Sequence, residues 1–171
     1  MKYIAINELD KFEFHDAQIE RIEFKESKMI WYISAVNATT ENSQNNFPKD
    51  MCIDNAQLFF ENVAIESIAF LAYKITHANG SITEVERRPV PNNECHEILE
   101  NSTTDYCGIF RLENLSQNND KTFIATFSID SFSVGFYDLI FSFSKATVQW
   151  DTYYGEAWYE DAKWKKQNQD Q

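Results

Sequence analysis

Glycine and proline are scarce in this chain, at four and three of its 171 residues, which excludes collagen-like and low-complexity classes. It has no glycine-rich loop, no G-x-S-x-G turn and no Ser-His-Asp order, so neither backbone cradling of a phosphate nor a nucleophile elbow is expected. Cysteine is limited to Cys52, Cys95 and Cys107. Three thiols cannot all pair within one chain, and the opening MKYIAINELD lacks a basic segment followed by an apolar one. Both features predict free thiols in a reducing cytoplasm. The longest apolar run, residues 68–73, is far short of the roughly 20 residues that cross a bilayer, so no membrane partner is expected. The Asn-X-Ser/Thr triplets at Asn37, Asn101 and Asn114 then carry no glycosylation meaning. Positive charge is also thin: 15 Lys and Arg stand against 27 Asp and Glu, a net −12. Nucleic acid is therefore not an expected partner, because phosphate binding needs a basic patch.

What the chain has in quantity is aromatic bulk, with fourteen Phe, eight Tyr and four Trp. At this length a packed core without disulfides or metal is feasible, and no linker or repeat divides the sequence. The richest stretch is 137–159, YDLIFSFSKATVQWDTYYGEAWY. Leu139, Phe141 and Phe143 share one face, Ile140, Ser142 and Ser144 the other, and Val148 and Trp150 resume an apolar face. Such alternation marks a strand with one side buried. Residues 145–147 read as a tight turn or a bulge, leaving one long strand or a hairpin. The rings of 151–160 are expected to close one end of a sheet core.

Earlier segments read the same way. Residues 2–6 predict a short edge strand. In FEFHDAQIERIEF the apolar set changes parity between Ile19 and Ile22, which a β-bulge near Glu20 and Arg21 would absorb; a turn of helix through Ile19 and Ile22 is the rival. A turn at 26–28 then leads into a strand over 29–36, completing a hairpin. Residues 39–50 are a polar, Asn-rich loop. Strands are predicted over 52–60 and 65–75, although the second also satisfies a helical period. Gly80 marks a turn and 82–90 an edge strand ended by prolines. The one helix falls at about 94–101, with Asn92 or Asn93 as its cap and Ile98 and Leu99 facing inward. Strands resume over 106–113 and 122–130, with a loop between them, and 131–136 continues extended until Gly135 turns the chain. The fold class expected is mainly β: a single-domain antiparallel β-sandwich or strongly curved sheet over 1–166, followed by a disordered tail over 167–171.

Candidate chemistry is sparse. His15 and Asp16 pair a titratable ring with a carboxylate, but as neighbours on a strand they would point to opposite faces. Asp16 is instead expected to accept local backbone hydrogen bonds. Glu94, Cys95, His96 and Glu97 are consecutive, whereas a helical metal site needs ligands three or four apart, so no metal and no cofactor is expected. Cys52 and Cys107 sit in apolar strands, where a thiol is a small hydrophobe. The remaining constellation is acidic and aromatic: Asp151, Tyr153, Tyr154, Glu156, Trp158 and Tyr159, with Glu160 and Asp161 beyond. Packing at the rim of a core is one reading of it. The other is a recognition surface, since Tyr and Trp dominate interface hot spots and carboxylates select a basic partner.

Two patches, FHDAQIERI at 14–22 and VQWDTYYGEAWY at 148–159, resemble small β-rich bacterial proteins of unknown function, some of them grouped with the immunity proteins of polymorphic toxin systems. The resemblance implies a cytoplasmic single-domain protein that acts by binding, as by occluding a toxin, and it transfers no functional residue. The expected function is thus a non-catalytic protein-binding module directed at a basic protein or toxin. The alternative is a small-ligand binder or hydrolase with a pocket between the sheets that draws on His15, Asp16 or Asp151. A homo-oligomer whose interface consumes the acidic aromatic patch is a third reading.

Overall fold

The computed structural model describes residues 1–160; the expected domain limit at 166 and the tail 167–171 lie outside the described residues. The chain is mainly β, with one large antiparallel sheet, a small second sheet and one short helix. The main sheet is continuous in its hydrogen bonding but doubles over, so that it packs on itself as two layers. The first layer runs β1 (Tyr3–Ile6), β13 (Lys145–Trp150), β5 (Met51–Glu61), β4 (Lys28–Ala38) and β3 (Ala17–Lys25). The second runs β10 (Cys107–Gln117), β11 (Phe123–Ser131), β12 (Gly135–Phe143), β6 (Ala64–Phe70) and β9 (Arg88–Pro89). Two short strands decorate the first layer: β2 (Phe12–Glu13) on β4 and β14 (Gly155–Glu156) on β5. The pair β7 (Tyr73–Thr76) and β8 (Ile82–Val85) forms a separate, exposed hairpin.

Rings fill the space between the layers. Trp31 and Phe60 from the first layer meet Phe127, Phe141 and Phe143 from the second, with centroids 4.9 to 5.9 Å apart and mostly edge to face. Each such pair adds about 0.5–1.5 kcal/mol beyond the area it buries. Leu139, Phe141 and Phe143 are buried, as the alternation predicts, and so are Ala146, Val148 and Trp150. The change of parity between the two sets falls at Ser144, which alone separates β12 from β13. Those strands pair with β6 and β5 respectively, so the stretch is neither one strand nor a hairpin: it crosses from one layer to the other in a single residue. Residues 62–63 make the parallel crossing between β5 and β6.

The predicted bulge is present. Ile19 pairs with Ile33 and Arg21 with Tyr32, leaving Glu20 as the extra residue, and Ile19 and Ile22 both face the core. The hairpin closes at Lys25 and Lys28. The ambiguous 65–75 segment is strand, divided into β6 and β7. Four expectations change. The 82–90 strand breaks into β8 and β9, which belong to different sheets. Residues 132–134 form a tight turn rather than extended chain, so that Ser131 pairs with Gly135, whose φ of 103° a side chain would resist. Helix α1 (Cys95–Ser102) starts from a 3-10 turn at Asn92–Glu94, with Glu94 at the cap position and no capping side chain. Strand β10 runs four residues past Glu113, because bulges at Phe110 and Glu113 let Ile109, Leu112 and Leu115 all turn inward at a spacing of three.

The layers meet along β3 and β10 for only two pairs, Ala17 with Ile109 and Gln18 with Gly108. The contact is tight: a Cβ on Gly108 would lie within 2.3 Å of the Tyr106 hydroxyl, whose ring crosses the strand there. The contact lies at the start of both strands, so on each side of it one strand runs on without the other. Helix α1 packs into one gap, with Leu99 and Cys95 buried and His96 against the Phe24 ring at 4.4 Å. The other gap is open.

Candidate functional site

The open gap is a groove of about 950 Å³. One wall is the 3-10 turn Leu9–Lys11 and β2, presenting Asp10, Glu13 and His15; the other is β10 from Phe110 to Leu115. Its floor includes Phe12 and Phe14, both buried, and its lip is the 3-10 turn Trp158–Glu160. The site therefore joins segments that lie far apart in sequence. Local turn chemistry shapes the first wall. Ala17 N–H donates to the Phe14 carbonyl, and Asp16 takes φ 69°, a left-handed conformation that Asp tolerates better than most residues.

This turn corrects the reading of His15 and Asp16. They are not consecutive strand residues on opposite faces: the turn brings His15 Nε2 to 3.7 Å from Asp16 Oδ1. His15 Nδ1 lies 3.1 Å from the Phe110 carbonyl oxygen, and its ring meets the Phe110 ring at 5.5 Å. The imidazole thus ties the two walls together at the apex of the groove. The backbone-accepting role expected of Asp16 belongs to Glu13, whose Oε1 accepts from His15 N–H at 2.9 Å.

The acidic aromatic constellation divides. Trp158 and Tyr159 line the groove; Asp151, Tyr153, Tyr154 and Glu156 do not. Tyr153 is packed among Tyr3, Phe47 and Trp150 at 5.1 to 5.8 Å and donates to the Gln44 carbonyl, so it closes the core as the rim reading required. Burial pushes its phenol up to about 12. Tyr154 stands 81% exposed. Glu156 pairs with Lys49 at 2.6 Å. Asp151 accepts from Lys2 N–H at 2.9 Å and faces the amino terminus at 3.5 Å, away from His15. Tyr159 donates to Asp50 Oδ2 at 2.9 Å, and burial together with that carboxylate holds its phenol far above the ordinary range. Asp50 Oδ1 also accepts from Thr40 N–H, fixing the loop behind the lip.

Several residues of the groove escaped the sequence reading, among them Glu13, Asp50, Phe110 and Arg111. Phe110 is 45% exposed because a bulge turns it outward, and beside it Arg111 binds Glu113, Nε to Oε1 at 2.5 Å. The guanidinium lies 5.6 Å from the Phe110 ring. The Arg111 hydrogen bond lowers the Glu113 pKa, and Ser128 Oγ, 2.8 Å from the same carboxylate oxygen, acts in the same direction. Glu13 and Asp50 have no cation against them among the described residues.

The three cysteines are free. Cys107 is buried, and that burial raises its thiol to about 11. Cys95 points to the Pro91 carbonyl, while His96 turns onto Phe24, so the two do not converge. Among the described residues no group of three His, Cys, Asp or Glu is arranged to hold a metal, and no helix is long and apolar enough to cross a membrane. In comparisons with known proteins, no family model, no curated protein and no solved structure matches the chain.

Proposed function

We propose that this protein acts by binding rather than by catalysis, and that the groove receives a basic segment of a partner protein. An immunity role, in which the partner is a toxin, is the setting that the sequence resemblance implies. The observation that carries the reading is the pairing of half-exposed rings, Phe110 and Trp158, with the carboxylates of Glu13 and Asp50 in one groove. Exposed aromatic anchors supply contact energy, and carboxylates with no ion pair among the described residues favour Lys or Arg over other occupants. A cation over a Trp or Phe face gains a further 0.5–2 kcal/mol, roughly, as the groove desolvates. The acidic surface of the whole chain would hasten encounter with such a partner.

A lysine-rich peptide titrated into the protein tests this. Binding should weaken with salt, and Glu13→Gln should weaken it about tenfold, since Gln keeps the acceptor for His15 N–H and removes only the charge. Binding that ignores both salt and the substitution would overturn the reading. The groove volume also favours a second reading, because about 950 Å³ lies at the upper end of the range occupied by small-molecule sites, with His15 as a polar group in the wall. A thermal-shift screen of metabolites separates the two: stabilisation by a small molecule that excludes the peptide would favour the ligand.

A further inference from the structure

The chemistry of the walls says which charge the groove takes; the hydrogen bonding of the walls says in what conformation. Strand β10 pairs with β11 along its whole length, but with β3 only at Gly108 and Ile109. From Arg111 to Gln117 its second edge carries no strand among the described residues. Across the groove, β2 pairs with β4 alone. The groove is therefore bounded by two open strand edges, at the place where a continuous sheet has come apart. An exposed row of N–H and C=O groups is a template for another chain, and proteins usually blunt such rows. Here the blunting is partial. The bulges at Phe110 and Glu113 break the first part of the edge, while Asn114, Leu115, Ser116 and Gln117 pair with β11 in regular register and leave a regular outer edge.

We infer that the partner's basic segment enters as an added β-strand along the regular edge of β10 from Asn114 to Gln117, with its cationic side chains directed at Glu13 and Asp50. This rests on the binding reading above and specifies its geometry. Main-chain pairing supplies affinity in such complexes, while alternate side chains supply selectivity. A charge match of this kind already occurs within the protein: Arg111 lies between the Glu113 carboxylate and the Phe110 ring, and the Glu13 carboxylate lines the same groove. The bulges also explain why the edge does not invite indiscriminate stacking, since a long flat strand cannot follow β10 past Glu113.

The test uses the full chain and a short peptide of alternating lysine and valine, in three forms: unmodified, N-methylated on the lysines and N-methylated on the valines. Each methylated form loses the donors along one edge only. The unmodified peptide is expected to shift the backbone amide resonances of residues 114–117, and at least one methylated form to bind tenfold or more weakly. Equal binding of all three forms overturns the strand mode and leaves the acidic-groove reading standing. No binding by the unmodified form removes that reading itself. Two other occupants would also show: shifts of the same amides that grow with protein concentration alone assign the edge to a second copy. Shifts produced without peptide by replacing Lys163, Lys165 and Lys166 with Gln assign it to this chain's own basic segment. Either result overturns the partner assignment.

Discussion

Two gaps flank the short contact between β3 and β10, and they differ in what fills them. On one side α1 supplies Leu99 and Cys95 to the core, and its end is tied down: Ser131 Oγ donates to the Ser102 carbonyl at 2.8 Å. On the other side the walls stay apart, Phe110 and Trp158 are half exposed, and the carboxylates of Glu13 and Asp50 line the space. The same loss of a pairing strand thus yields a plugged, apolar seam in one place and an open, charged groove in the other. A seam filled by the protein's own chain contributes stability, whereas a groove left open sacrifices some of it and leaves surface for something else.

Substitutions should separate the two sides. The largest effect is expected at the plugged seam, where Leu99→Ala removes a fully buried side chain and should lower the unfolding free energy by about 2–5 kcal/mol in urea titrations. Cys107 sits at the junction and gives a pH signature. Its thiol is held near 11 in the folded state, against an ordinary value of about 8.5. Between those values the unfolded chain releases a proton that the folded one retains, so stability should fall as pH rises through that window and be fully present below it. Urea midpoints at about pH 8 and pH 10.5 measure the fall, and Cys107→Ala should make it shallower. At the open groove the pattern reverses: Trp158→Ala should change stability by no more than about 1 kcal/mol yet reduce affinity for the basic peptide about tenfold. A stability loss as large as that of Leu99→Ala would mean that the lip is core, and the contrast between the two gaps would fail. The smallest effect serves as a reference outside both gaps. Ala35 lies within β4 at φ 58°, where a Cβ is strained, so Ala35→Gly should be neutral or stabilise by up to about 1 kcal/mol on thermal melting.

Much of the sandwich was legible because burial writes itself into alternation. The parity slip between Ile19 and Ile22 disclosed the Glu20 bulge, and the same logic located Leu139 to Phe143. It failed at β10 because two bulges within four residues turn the alternation into a spacing of three, which reads as the end of a strand. It failed at His15 and Asp16 because a left-handed Asp has no periodic signature, and the pair was read as extended. The groove itself was legible only in fragments. Trp158 and Tyr159 stood out by composition, but what joins them to His15 and Phe110 is long-range register, set by which strands pair and where they part. No local pattern carries that information, and Asp151, chemically a match for the site, is held instead at the amino terminus.

The one-residue crossing at Ser144 has a kinetic corollary. Because β12 and β13 are consecutive, bringing the two layers together there closes almost no loop, whereas the Ala17 to Ile109 contact must draw together positions separated by about half of the chain. Loop closure grows costlier with length, and long-range pairings are the slow ones. The corner between β12 and β13 should therefore take shape early, and the walls of the groove, drawn from β2 and β10, should be among the last parts of the molecule to form.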